Sequence, residues 1–166
     1  LADNEEKSAL VRYVGWGGIP QIFSPAIDWQ AENEALSQLL TDEEFRAARA
    51  STLNAHYTSA KIVRGMYAAL ERLGFQQGRI LEPACGIGHF IGFMPEQIHS
   101  RSAITGIELD PITASIAKAL YPDADIRSQP FENSKLVDEF YDLAVSNIPF
   151  GDYKPFDTKF NQYGFL

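Results

Sequence analysis

Hydrophobic positions divide the chain into two regimes. In the first, short apolar groupings at helical spacing are separated by polar and glycine-rich stretches. Residues 4–14 predict one helix, stopped by the glycines of "GWGGIP" (15–20). Residues 28–40 predict a second, with Asp28 as its N-cap and Ala35, Leu36, Leu39 and Leu40 on one side. "TDEEFRAARA" (41–50) opens with a capping box, Thr41 followed by Glu44 three positions on.

From about residue 56 the period changes. "SAKIVRGMYAALERLG" (59–74) carries apolar residues at 62, 63, 66, 70 and 73, which predicts an amphipathic helix ended by Gly74. "GRILEPACGIG" (78–88) is a short apolar strand running into a glycine turn, and "SAITGIELD" (102–110) is a second strand. "PITASIAKALYP" (111–122) is a helix with proline in its first turn; "ADIR" (124–127) and "FYDLAVSN" (140–147) are further strands. Strands alternating with helices at this spacing predict βαβ units and a parallel sheet. The expected organisation is an N-terminal helical extension over residues 1–53 and an α/β domain over 54–166. That domain stops after about the fourth strand, so the chain reads as a piece of something longer.

Composition sharpens this picture in two places. With 166 residues, 45% of them hydrophobic, the chain can build one real core. A net charge of −8 argues against a strongly basic nucleic-acid grip. It is uneven, with 4 Lys/Arg against 9 Asp/Glu in residues 1–55 and 10 against 13 in the remainder. The single cysteine, Cys85, excludes an internal disulfide and suits a reducing compartment. No apolar run approaches the roughly 18 residues of a membrane span. The expectation is a cytoplasmic protein with no membrane association, and the sequence leaves its oligomeric state open.

Chemistry concentrates around the glycine turn. "EPACGIGHF" (82–90) puts Gly86 and Gly88 where a strand passes into a helix, which lets a ligand approach the backbone. Glu108 ends the next strand about 20 residues on, where an acid can hold ribose hydroxyls. A dinucleotide site would want a third glycine, but Ile91 stands there, and Glu82 opens the turn. A carboxylate repels pyrophosphate and attracts ammonium. An acid before the turn and an acid after the next strand fit a ligand with an amine at one end and a ribose at the other, which describes S-adenosyl-L-methionine. Cys85 is rejected as a nucleophile because no partner base is identifiable. His56, His89 and His99 lack metal-ligand spacing, so no metal is expected.

"EPACGIGHF", "IELDP" and "SNIPF" (146–150), in this order and spacing, resemble motifs I, II and IV of DNA adenine-N6 methyltransferases; "HYTSAKIV" (56–63) is similar to their motif X, placed ahead of motif I as in the gamma arrangement. The resemblance spans roughly residues 54–151. "VRYVGWGGIPQIF" (11–23) also resembles the segment preceding methylase domains in large methylase–helicase proteins of plasmids and phages.

The resemblance implies a Rossmann-like S-adenosylmethionine-dependent methyltransferase fold, a parallel sheet flanked by helices. It implies that Glu82, Ala84, Gly86 and Gly88 hold the methionine part of the cofactor, Tyr57 and Thr58 its carboxylate side, and Glu108 its ribose. Leu109 and Phe131 would border its adenine. Asn147 and the Ile148 carbonyl would accept the two N–H bonds of a flipped adenine's amine, with Pro149 fixing the turn and Phe150 stacking on the base. Two positions depart from the family: Pro130 stands where motif III has an acid, with Gln129 as a candidate substitute, and Ile148 replaces the first proline of motif IV. The implied partner is DNA, gripped mainly by C-terminal regions beyond this chain. The alternatives are a protein-glutamine methyltransferase, an RNA methyltransferase, and a scaffold that keeps the fold without the activity.

Overall fold

The computed structural model describes residues 2–24, 27–52 and 57–148. Its centre is a four-stranded, all-parallel sheet in the order β3-β2-β1-β4: β1 (Arg79–Glu82), β2 (Ala103–Glu108), β3 (Asp125–Ser128) and β4 (Leu143–Ala144). The chain steps outward from β1 to β2 to β3 and then returns to the far side of β1. The crevice between the carboxyl ends of β1 and β4 is therefore a topological switch point, the place where open α/β sheets bind their ligands.

Backbone bonds carry β4 further than its two-residue span. Asp142 donates to the Arg79 carbonyl (2.9 Å) and Val145 to the Leu81 carbonyl (3.0 Å). At the amino end, Arg79 and Asp142 exchange a fork-shaped ion pair: Nε and Nη2 reach the two carboxyl oxygens at 3.1 and 3.0 Å, and the Arg79 amide adds a 2.8 Å bond. These bonds to arginine hold the Asp142 carboxyl at about 2. The pair is exposed, so its main effect is geometric: it fixes the register of β4 on β1.

The helices are α1 (Asn4–Leu10), α2 (Gln30–Leu39), α3 (Asp42–Ser51), α4 (Ala60–Arg72), two single turns α5 (His89–Gly92) and α6 (Glu96–His99), and α7 (Pro111–Leu120). The predicted capping box is present on α3, and Pro111 occupies the first turn of α7. Three expectations are corrected. The first helix ends at Leu10 rather than at residue 14, its cap amide at Val11 already bonding back to Lys7 and Ala9. Asp28 does not cap α2: residues 27–29 form a 3₁₀ turn and Trp29 is the N-cap. Leu39, assigned to the inner side of α2, is exposed, whereas Leu36 is buried.

Helix α4 is amphipathic as the sequence predicts, but its inner face is rotated. Ile62 and Leu73 are exposed; Val63 and Tyr67 are fully buried, with Met66 and Leu70 packed beside them. The sheet side of this core contains Ile80, Ile104, Ile126 and Val145. Tyr67 is tolerated there because its hydroxyl donates to the Phe90 carbonyl at 3.0 Å.

The N-terminal helices share an apolar cluster of their own and dock on α7. α1 and α3 both pack on α7, with Leu10, Tyr13 and Ile112 in one apolar cluster and Ile112 also touching a second built from Ile22, Phe23, Leu36 and Ala48. Among the described residues, no helix is long and apolar enough to cross a membrane.

Because Tyr67 joins helix to glycine-turn backbone by a buried bond, Tyr67→Phe should lower unfolding stability by about 1–2 kcal/mol without altering the fold. Urea denaturation with an unchanged m-value checks this.

Candidate functional site

The carboxyl ends of β1, β2 and β4 carry the residues that sequence reasoning singled out. β1 runs straight into the glycine turn. Gly86 and Gly88 have φ of +56° and +87°, a region costly for any residue with a Cβ. A Cβ on Gly88 would stand 2.5 Å from the Tyr121 ring, and one on Gly86 would stand 3.1 Å from the Tyr57 ring. The turn is fastened to β2 by the Cys85 amide, which donates to the Ile107 carbonyl at 2.9 Å.

Glu108 braces this turn from the neighbouring strand. One carboxyl oxygen accepts the Gly86 amide and the other the Asp110 amide, each at 2.8 Å. Burial pushes its pKa up, while these two backbone bonds pull it down. Asp110 caps α7, accepting the Thr113 amide at 3.0 Å and the Thr113 hydroxyl in a short bond. The Gln129 amide donates to the Glu108 carbonyl at 2.9 Å, which ties the segment after β3 to the same end of the sheet.

Glu82 is the extreme group. It is 3% exposed, its Oε2 has no hydrogen-bond partner among the described residues, and burial, aided by the Glu108 charge, raises its pKa well above the ordinary value near 4.5. A buried carboxyl without a cation beside it holds its proton.

Tyr57 and Thr58 reach the turn from the other side. The Tyr57 ring lies against Gly86 and tilts on the His89 ring at 5.2 Å, and His89 Nδ1 donates to the Thr58 carbonyl at 3.0 Å. Burial raises the Tyr57 hydroxyl pKa. Ala84 is half-buried within the turn. Leu109 (64% exposed) and Phe131 (49%) are open to solvent, on the segments that follow β2 and β3. Cys85 is buried, and its thiol is pushed up by that burial, so it is not a thiolate near neutrality.

Asn147 and Ile148 are exposed and directly follow the β4 segment. Leu81 pairs with Ala144 in register, so the chain reaches Asn147 beside the turn that leaves Glu82. Pro149 and Phe150 lie outside the described residues. Sequence reasoning missed Thr113, which bonds the Asp110 carboxyl, and Tyr13, which lies beside Thr113 and packs on Trp16; the aspartate before Pro111 was the available signal for a helix cap there.

No family model matches the chain. It is 23% identical over 132 residues to the "Defense against restriction protein B" of Escherichia phage P1, spanning 78% of this chain and 6% of that protein. It is 36% identical over 81 residues to the type II methyltransferase M.CvrRI of Paramecium bursaria Chlorella virus XZ-6E, spanning 48% of this chain and 21% of that protein. A class I S-adenosylmethionine-dependent methyltransferase structure from Listeria monocytogenes superposes on 82% of this chain and 50% of its own, with a TM-score of 0.51 and 20% identity. The fold is that of the class I methyltransferases. A parallel sheet flanked by helices is what the sequence led one to expect.

The Glu82 environment generates a prediction with a definite sign. The folded chain holds this proton more tightly than the unfolded chain, which releases it near 4.5. As pH rises from there toward the raised folded value, unfolding releases a proton and stability falls. Glu82→Gln removes the penalty, so it should raise the melting temperature of the ligand-free protein by several degrees at pH 7–8. The gap should close as the pH approaches 4.5. Thermal unfolding of both proteins across that range reads it directly.

Proposed function

We propose that this chain is the catalytic part of an S-adenosyl-L-methionine-dependent methyltransferase that modifies the exocyclic N6 amine of adenine in DNA. The observation that carries the reading is the switch point between β1 and β4. A buried acid and glycine turn lie on one side of it, and Asn147 follows on the other.

The residues present fit the cofactor. Glu82 Oε2 is a buried carboxyl oxygen without a partner among the described residues, which suits a cationic ligand, and Gly86 and Gly88, at positive φ, leave the turn without side chains of its own, with the Tyr57 and Tyr121 rings packed against it. In this reading Glu82, Ala84, Gly86 and Gly88 hold the methionine moiety, Tyr57 and Thr58 border its carboxylate, Glu108 takes the ribose hydroxyls, and Leu109 and Phe131 flank the adenine as exposed apolar surfaces. Both Glu108 oxygens already accept a backbone N–H, and each keeps a second lone pair for a ribose hydroxyl. The bound cofactor supplies an electrophilic methyl group.

Asn147 and Ile148 act on the acceptor. The amine of adenine is a weak nucleophile because its lone pair is delocalised into the ring. The Asn147 amide oxygen and the Ile148 carbonyl accept its two N–H bonds and favour a tetrahedral nitrogen with an available lone pair. Replacing proline by isoleucine at 148 leaves that carbonyl in place. In sequence, Pro149 and Phe150 complete the clamp, the ring stacking on a base taken out of the helix.

Two relatives support the nucleic-acid side of this reading, a phage defense-against-restriction protein and a viral type II methyltransferase. The matched stretches cover 6% and 21% of those two proteins, and this chain's own charge is −8, so the DNA grip is assigned to regions beyond these residues.

The test is methyl transfer by the full-length protein from labelled cofactor, with duplex DNA, RNA and release-factor protein offered in parallel and the products digested to nucleosides or peptides. Label should appear as N6-methyladenine from DNA. Asn147→Ala should lower turnover by about 10²–10³-fold, the scale of losing one positioned polar group, while leaving cofactor affinity within a factor of about two. Label on RNA or protein, or an active Asn147→Ala enzyme, overturns the assignment.

A further inference from the structure

Beyond the cofactor cleft, three buried polar atoms have no hydrogen-bond partner among the described residues: the Tyr13 hydroxyl, Trp16 Nε1 and Asp110 Oδ1. Tyr13 and Trp16 belong to the N-terminal extension, roughly a hundred residues upstream of Asp110, yet Tyr13 lies near both Trp16 and the Asp110 turn. The Tyr13 and Trp16 rings touch edge to face at 6.1 Å. Tyr13 packs in one cluster with Tyr57, Ile87 and Ile112, residues from both sides of the glycine turn and from α7. Its hydroxyl lies beside Thr113 and the Trp16 indole and within the field of Asp110 and Glu108.

The chemistry of the trio is complementary. An indole N–H only donates, a carboxylate oxygen only accepts, and a phenol does both. The Trp16 indole can donate to the Tyr13 phenol, and the phenol to Thr113 Oγ1, whose own proton is on Asp110 Oδ2. Buried polar atoms left apart from one another would each carry a desolvation cost.

We propose that Tyr13 and Trp16 are positioning residues for the acid turn 108–110, so that the N-terminal extension forms the back wall of the methyl-donor site. The path is short. Trp16 lies against Tyr13, whose hydroxyl lies beside Thr113; Thr113 donates to the Asp110 carboxyl; the Asp110 amide donates to Glu108; Glu108 in turn accepts the Gly86 amide. The effect on a ligand rests on the cofactor reading of Glu108, whereas the effect on the turn does not.

Two measurements on the full-length protein separate these. Tyr13→Phe keeps the ring and removes only the hydroxyl between Trp16 and Thr113. Amide hydrogen exchange at Gly86, Asp110 and Thr113 should quicken by about five- to tenfold in that variant, the scale of one weakened hydrogen bond, with sheet amides such as Ile80 and the melting temperature unchanged. Calorimetry with S-adenosylhomocysteine should show affinity about fivefold weaker, and no further loss when Tyr13→Phe is added to Glu108→Gln. Wild-type exchange at those three amides overturns the proposal, as does an equal acceleration across the whole sheet. Faster exchange in a protein that does not bind S-adenosylhomocysteine would keep the positioning role and remove the cofactor reading.

Discussion

The carboxyl group of Glu108 is the joint on which the site turns. Its two oxygens accept amides from two different loops, Gly86 after β1 and Asp110 after β2. Neither loop could hold its shape alone: the first needs two glycines at positive φ, and the second must hand the chain to α7 within two residues. A charged acceptor between them replaces the water each amide would otherwise need and fixes one loop against the other. The Cys85 amide on the Ile107 carbonyl supports the same joint from the strand side. Removing the acid would leave two buried N–H groups unpaired and the cleft without a defined width.

Sheet topology then decides which chemistry can meet there. Because the order is β3-β2-β1-β4, the two loops joined by Glu108 occupy one side of β1 and the segment leaving β4 occupies the other. Residues separated by more than sixty positions are brought together by a register of two paired residues and a fork-shaped ion pair at the opposite end of the strand. The short β4 is adequate because Val145 continues its ladder and buries its side chain in the main core.

Much of this was legible in the sequence, for a physical reason. Parallel strands covered on both faces are continuous apolar runs, so "RILE" and "AITGIE" stand out, and a glycine turn followed by an acid marks the loops at their ends. Local signals that depend on one hydrogen bond were also readable, as with Thr41 and Glu44 on α3. What sequence spacing could not resolve is the exact face that a helix buries: Tyr67 carries a hydroxyl and reads as a boundary residue, yet the Phe90 carbonyl lets it be fully buried while Ile62 and Leu73 stay in water. The start of α2 was misread because the preceding 3₁₀ turn consumes Asp28, and no residue pattern distinguishes that turn from a first α-turn. The role of Tyr13 and Trp16 was hidden for a different reason, since their partners come from α7, far along the chain.

The arrangement of acids has an energetic consequence for what the site is for. Glu82 is buried and Glu108 partly buried at adjacent strand ends, the Glu108 charge makes ionising Glu82 costlier, and the described residues form no ion pair with either. A core that needed only to fold would gain by putting glutamine or an apolar residue at 82, beside Gly106 on β2. The penalty is recovered only when a positive ligand sits against that carboxyl and lets it ionise without repelling its neighbour through an empty, low-dielectric gap. A buried carboxyl without a partner, next to a second acid at the head of the glycine turn, is the feature that the proposed cationic ligand best accounts for, and it favours a positive ligand over an anionic one.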